Sequence, residues 1–139
     1  MTDATIITIK SSIHAPIEKV WSFWNNVDHI VKWNTASPDW HTPKAENDLK
    51  IGGKFNYRME AKDGTFGFDF WGIYDVIKPN ETIEYTAGDG RKVKISFTQK
   101  GEETLIVQDF EAENVNSIEQ QKTGWQTILD NFKQYVEAN

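Results

Sequence analysis

His41, beside Trp40 in the stretch VKWNTASPDWHTPKA (residues 31–45), is the side chain whose chemistry is easiest to name. An imidazole with an unperturbed pKa of about 6.5 can move protons at neutral pH. A base also needs a nucleophile to act on and a group to orient it. The chain offers no nucleophile elbow, no histidine pair at metal-ligand spacing and no glycine-rich phosphate loop. Asp69 and Asp109 each interrupt an otherwise apolar strand pattern. Facing a cavity, either carboxyl would be desolvated, its pKa raised, and so made into an acid or a base. On the wet face of a sheet it would do neither, and Arg58 offers Asp69 a cross-strand partner there. His14, His29 and His41 are far apart and the chain has no cysteine, so neither a zinc site nor a thiol nucleophile is expected. His41, Asp69 and Asp109 are the catalytic candidates, and no cofactor is implied.

The second kind of chemistry is recognition by aromatic surface. Six tryptophans, eight phenylalanines and four tyrosines in 139 residues are a load that only a large core or a ligand cavity uses. Burying one large apolar side chain is worth roughly 1.5–3 kcal/mol, so Trp33 and Trp40 would not stay solvated in a loop at no cost. Either that loop folds onto a core or it borders a cavity as a lid. The cavity candidates are Trp33, Trp40 and His41 on the lid, then Tyr57, Met59, Phe68, Phe70, Trp71 and Tyr85, with Phe55 beside them. Trp125 and Ile128 complete the set from the C-terminal segment. Tyrosine and tryptophan join an apolar body to a polar tip, which lets them line a cavity and still orient a ligand. Gln121, one turn before Trp125, either reaches that ligand or satisfies backbone near a helix start.

The elements that would position these residues can be read from periodicity. ATIITIKSSI, from Ala4 to Ile13, alternates as a strand with Ile7, Ile9 and Ile13 on one face. Pro16 suits the first turn of a helix that carries Val20, Trp21 and Trp24 and ends near Asn25 and Asn26. Asp28 can cap a second short helix, DHIVKW. KFNYRME alternates strictly, with Phe55, Tyr57 and Met59 on the buried face. Alternation breaks at Phe70 and Trp71, before Gly72, which predicts a β-bulge or a bend there that lets both aromatics find cover. Turn signals at Asp63-Gly64, Pro79-Asn80, Asp89-Gly90 and Gly101 separate five meander strands in all. Ser117 and Gln120 form a capping box at the start of a long helix with Ile118, Gln121, Trp125, Ile128, Phe132 and Val136 on one stripe. An α+β architecture follows: a curved antiparallel sheet wrapped around a long C-terminal α-helix, with two short helices after the first strand. One domain spans residues 1–139.

Composition narrows the partners. A formal net charge of -6 without a basic patch argues against nucleic acid and anionic membrane surfaces. No apolar run reaches the length of a membrane span, and the N-terminus lacks a signal-peptide pattern. The absence of cysteine fits a reducing, cytoplasmic home.

The chain resembles a known family. IHAPIEKVWSFWNNVDHIVKW, LKIGGKFNYRM, FDFWGIYDVIKPNETIEYT and TGWQTILDNFKQYVE fall in the order and spacing of the Aha-type domains, homologous to the activator of the 90-kDa heat-shock protein ATPase. These belong to the START and birch-pollen-allergen (SRPBCC) superfamily. The resemblance implies a helix-grip fold, a seven-stranded-type sheet gripping a long helix around a cavity. It implies binding of lipids, polyketides, flavonoids or other apolar molecules, with a hydrolase or cyclase activity, or a chaperone partner, as alternatives. Relatives of this type often carry two adjacent tryptophans and Gly-Pro after the second helix. This chain has Lys32-Trp33-Asn34-Thr35, so the mouth of its pocket is its own. The function expected first is sequestration of a small hydrophobic, ring-containing ligand between sheet and helix, as carrier or sensor.

Overall fold

The computed structural model describes residues 5–139. The chain runs β1 (Ile6–Ile13), α1 (Ile17–Asn25), α2 (Val27–Trp33), β2 (Trp40–Asn47), β3 (Lys54–Ala61), β4 (Gly67–Lys78), β5 (Thr82–Ala87), β6 (Lys92–Lys100), β7 (Glu103–Glu111) and α3 (Ile118–Ala138). Ala4, expected to open the first strand, lies outside the described residues. All seven strands form one antiparallel sheet in the order β1-β7-β6-β5-β4-β3-β2. The sheet curls into a half-barrel around α3, the helix-grip arrangement that the sequence implied.

One element escaped the sequence reading. The segment taken as a lid loop is a loop only as far as Asp39, and from Trp40 it becomes β2, an edge strand paired with β3. Its register slips between His41 and Lys44, and the irregularity brackets Pro43. Proline is tolerated at such a place because an edge strand need not donate on both sides. The bulge expected at Phe70 and Trp71 is likewise elsewhere. β3 and β4 pair without interruption from Lys54↔Ile73 to Glu60↔Gly67, and the shift falls on the β5 side, between Tyr74 and Val76. Regular alternation therefore sends Trp71 to the convex face. There Lys54 Nζ lies 4.7 Å from the centre of the Trp71 ring, and a Cβ on Gly88 would come within 2.4 Å of the indole. The two aromatics lie on opposite faces of the sheet, Phe70 half-buried and Trp71 37% exposed.

The helices follow their caps. Asn26, rather than Asp28, caps α2: its side chain accepts from the Asp28 backbone N–H, and Asp28 sits in the first turn where the helix dipole favours an acid. The capping box of α3 forms as expected, with Ser117 accepting from the Gln120 N–H and the Gln120 side chain accepting from the Ser117 N–H.

Packing along α3 is uneven. Its C-terminal half buries Leu129, Phe132 and Val136 completely or nearly so, against β1 and the two short helices. Phe132 is the centre of this contact, edge-on to Trp24 and Trp33 with ring centroids 4.8 Å away in each case. Trp33 Nε1 donates to the Phe23 carbonyl at 3.1 Å. In the N-terminal half Ile118 is 46% exposed, and Trp125 and Ile128 are half-buried. Phe132→Ala is expected to cost about 3–5 kcal/mol, read as a lower urea midpoint with an unchanged slope.

A candidate ligand cavity between the sheet and the long helix

Where α3 leaves the sheet uncovered, a cavity of about 330 Å³ opens. Its floor is the concave face of β3, β4 and β5. Inward parity there presents Phe55, Tyr57, Met59, Phe68, Phe70 and Tyr85. Trp125 and Ile128 of α3 form the roof, and Trp24, Trp33 and Asn34 close one end. The aromatic rings brace each other. Trp125 stacks on Phe110 at 3.9 Å and meets Phe70 edge-on at 6.1 Å, and Phe55 meets Tyr85 edge-on at 4.7 Å. Gly72 allows this packing, since a Cβ there would press on the Phe55 ring at 2.9 Å.

Eight of the twelve binding candidates converge on the cavity: Trp33, Tyr57, Met59, Phe68, Phe70, Tyr85, Trp125 and Ile128. Trp33 does so as the buried end wall, 3% exposed, and not as a lid. The other four point elsewhere. Trp40 sits outside the lining, in a rim cluster with Phe66 and Phe68 at centroid distances of 6.0 and 5.9 Å. His41 is half-exposed, 4.0 Å from Glu60, and Trp71 is on the convex face. Gln121 satisfies backbone: it accepts from the Glu113 N–H at 2.8 Å and donates to the carbonyls of Asn116 and Glu113. That glutamine interrupts the apolar stripe because the connection between β7 and α3 needs its amide.

The catalytic candidates fare differently from the lining. Asp69 lies on the convex face 3.7 Å from Arg58, and Asp109 accepts a hydrogen bond from the Thr8 hydroxyl at 2.6 Å at an exposed position. Parity decides this for β7, because Ile106, Gln108 and Phe110 are buried while Asp109 alternates outward. Neither carboxylate reaches the cavity, and His41 does not either. Among the described residues no cluster of three or more His, Cys, Asp or Glu is arranged to hold a metal.

Several lining residues were absent from the sequence-derived set: Tyr74, Ile83, Ile95 and Gln108 within strands, and Arg91 and Glu113 at the edges. Tyr74 and Ile83 carried a signal, since they share parity with Phe70 and Tyr85, while Ile95 and Gln108 have no neighbour of their own parity in the sequence-derived set. Arg91 and Glu113 carried none, being turn residues whose direction only the fold sets. Tyr74 donates to Asn47 Oδ1 at 2.5 Å, tying β4 to β2. Asn34 is buried because it bridges α2 to β2, its carbonyl accepting from the Thr42 hydroxyl at 2.6 Å. His29 stacks on Phe23 and shares a 2.6 Å hydrogen bond with the Tyr135 hydroxyl, a partner that local sequence does not reveal. Burial pushes the phenols of Tyr57, Tyr74 and Tyr85 above the ordinary tyrosine value of 10.0.

A half-barrel sheet gripping one helix over an aromatic cavity defines a member of the helix-grip, START-like class. The sequence profile described as "Activator of Hsp90 ATPase homolog 1-like protein" matches residues 14–137, and the chain belongs to this family. Among solved structures, an AHSA1-like protein from Aeromonas hydrophila is 43% identical, with a TM-score of 0.91 over 96% of this chain and 93% of its own. A protein from Cytophaga hutchinsonii is 55% identical, with a TM-score of 0.83 over 96% and 92%. One from Chromobacterium violaceum is 21% identical and shares the fold, with a TM-score of 0.86 over 97% and 99%. No curated protein gives a significant match. The wider fold class commonly binds hydrophobic ligands or regulates Hsp90. Among the described residues no helix is long and apolar enough to cross a membrane.

Gln121→Ala leaves the Glu113 N–H and two carbonyls without partners and is expected to cost about 1–3 kcal/mol in chemical denaturation. The three buried phenols set a pH dependence. A folded-state pKa above the unfolded 10.0 leaves stability intact below pH 10.0 and removes it progressively as pH rises above that value. At about pH 11, roughly 1 unit above the free value, phenolate absorbance should show nearly three phenols fewer ionised in the folded chain than in urea.

Proposed function

We propose that the chain binds a small hydrophobic, ring-containing ligand in the cavity between the sheet and α3, as a carrier or sensor. The observation that carries this reading is the cavity itself, about 330 Å³ with a mostly aromatic lining and a few polar tips. That size and composition fit a small-molecule site. Binding energy would come from burying ligand surface against Phe55, Phe70 and Trp125, and orientation from tyrosine hydroxyls. Proton-transfer chemistry draws no support from the residues named for it, because His41, Asp69 and Asp109 all lie outside the lining. Regulation of a chaperone ATPase draws on the family description alone. A cytoplasmic carrier is consistent with a chain that has no cysteine to oxidise.

The test is uptake of N-phenyl-1-naphthylamine, whose fluorescence rises in apolar surroundings. Wild type should enhance it saturably. Ile128→Trp, which fills the space under the roof, should weaken binding at least about tenfold, equivalent to roughly 1.4 kcal/mol, while the far-UV circular dichroism stays native. Equal binding by the two proteins would remove the cavity as the site.

A further inference from the structure

Within the cavity one residue breaks the chemistry of its row. The registers of β1, β7, β6 and β5 align Ile9, Gln108, Ile95 and Ile83 across the concave face. Three isoleucines and one glutamine share that row. Gln108 is 6% exposed and lines the cavity. Among the described residues no protein group hydrogen-bonds its carboxamide. Nor is the amide sealed in packing, because the buried polar side-chain atom left both sealed and unpartnered is Asn56 Oδ1. The carboxamide of Gln108 therefore opens into the cavity. Gln121, buried to the same 6%, shows the structural alternative, with its amide engaged by three backbone bonds. A bare amide among isoleucines weakens the fold, and leucine would occupy the space without that penalty.

The charges around the cavity point the same way. Among the described residues the charged side chains in the lining are Arg91 and Glu113, both part-exposed at its edge. Arg91 Nε already donates to Asp89 Oδ2 at 2.7 Å. An anionic ligand would meet one engaged guanidinium against the carboxylates of Asp89 and Glu113. Farther in the polar groups are neutral donors and acceptors: Gln108, the Tyr85 hydroxyl, which has no hydrogen-bond partner among the described residues, the Tyr57 and Tyr74 phenols, and Asn34 at the end wall, whose amide donates to the Thr42 hydroxyl at 3.3 Å. Burial raises the Tyr85 pKa and keeps it a neutral donor.

We propose that Gln108 selects the ligand, and that the cavity takes an uncharged ring compound whose buried end carries a carbonyl or hydroxyl oxygen. This rests on the reading of the cavity as a ligand site, and it adds which ligands are preferred. A hydrocarbon ring leaves the carboxamide as bare as before, and a carboxylate loses its hydration without finding a free cation.

Equilibrium dialysis of the full chain against 9-fluorenone, fluorene and fluorene-9-carboxylate separates the possibilities, since the three share a tricyclic frame. Wild type should bind the ketone roughly tenfold more tightly than the hydrocarbon, the size of one hydrogen bond to a buried group, and more tightly than the carboxylate. In Gln108→Leu the ketone preference should vanish while fluorene binds as well or better, and the ligand-free variant should melt at a higher temperature than wild type. Gln108→Met serves the same comparison if the leucine variant does not fold. Equal binding of ketone and hydrocarbon by wild type would overturn the assignment of Gln108 while leaving the cavity as the site. So would a preference that survives the substitution, or tightest binding of the carboxylate. If folded wild type binds none of the three, the cavity reading fails and takes this one with it.

Discussion

One helix has to cover the concave face of seven strands, and it is too narrow to do so along its whole length. An α-helix with its side chains is about 10–12 Å across, whereas strands lie about 4.8 Å apart, so α3 can press on only part of the face. It presses on the β1 side, where Leu129, Phe132 and Val136 are buried and Trp24 and Trp33 wedge against Phe132. What remains over β3, β4 and β5 is space. The large aromatics there line it without closing it, because their rings brace one another across the face. Core and cavity thus share one apolar surface, divided by how far the helix reaches.

Much of this was legible in the chain. Strict alternation in KFNYRME and the capping box at Ser117 predicted local structure that forms as read, because each is decided within a few residues. The failures share a different cause. β2 was hidden because Pro43 and a register slip erase its period, and only pairing with β3 along an open edge makes it a strand. Trp71 was assigned to the cavity on the expectation that two adjacent aromatics need a bend. Gly88, distant in sequence, supplies the convex-face recess in which the indole lies instead.

The polar residues divide along the same line. Gln121 looks like a ligand-binding group in composition and turns out to be tied to backbone at an element end, whereas the Asn34 amide donates to the Thr42 hydroxyl. Asp109 drew attention as a charge in an apolar strand, while its neighbour Gln108 was the one facing inward. A carboxylate's placement outside could have been read from parity alone; whether an inward amide finds a partner depends on groups from four strands. Local pattern tells which way a side chain faces, and tertiary packing tells what it meets there.

The uneven seating of α3 also grades the molecule in stability along a single helix. Leu129, Phe132 and Val136 are part of the core. The first turns, carrying half-exposed Ile118 and half-buried Trp125, rest on fewer apolar contacts and can detach at lower free energy. Gly124, with no heavy atom within 4 Å of where its Cβ would be, adds backbone freedom in that stretch. The roof of the cavity is therefore the less firmly seated part of the helix. The wedge of rings around Phe132 holds the remainder folded.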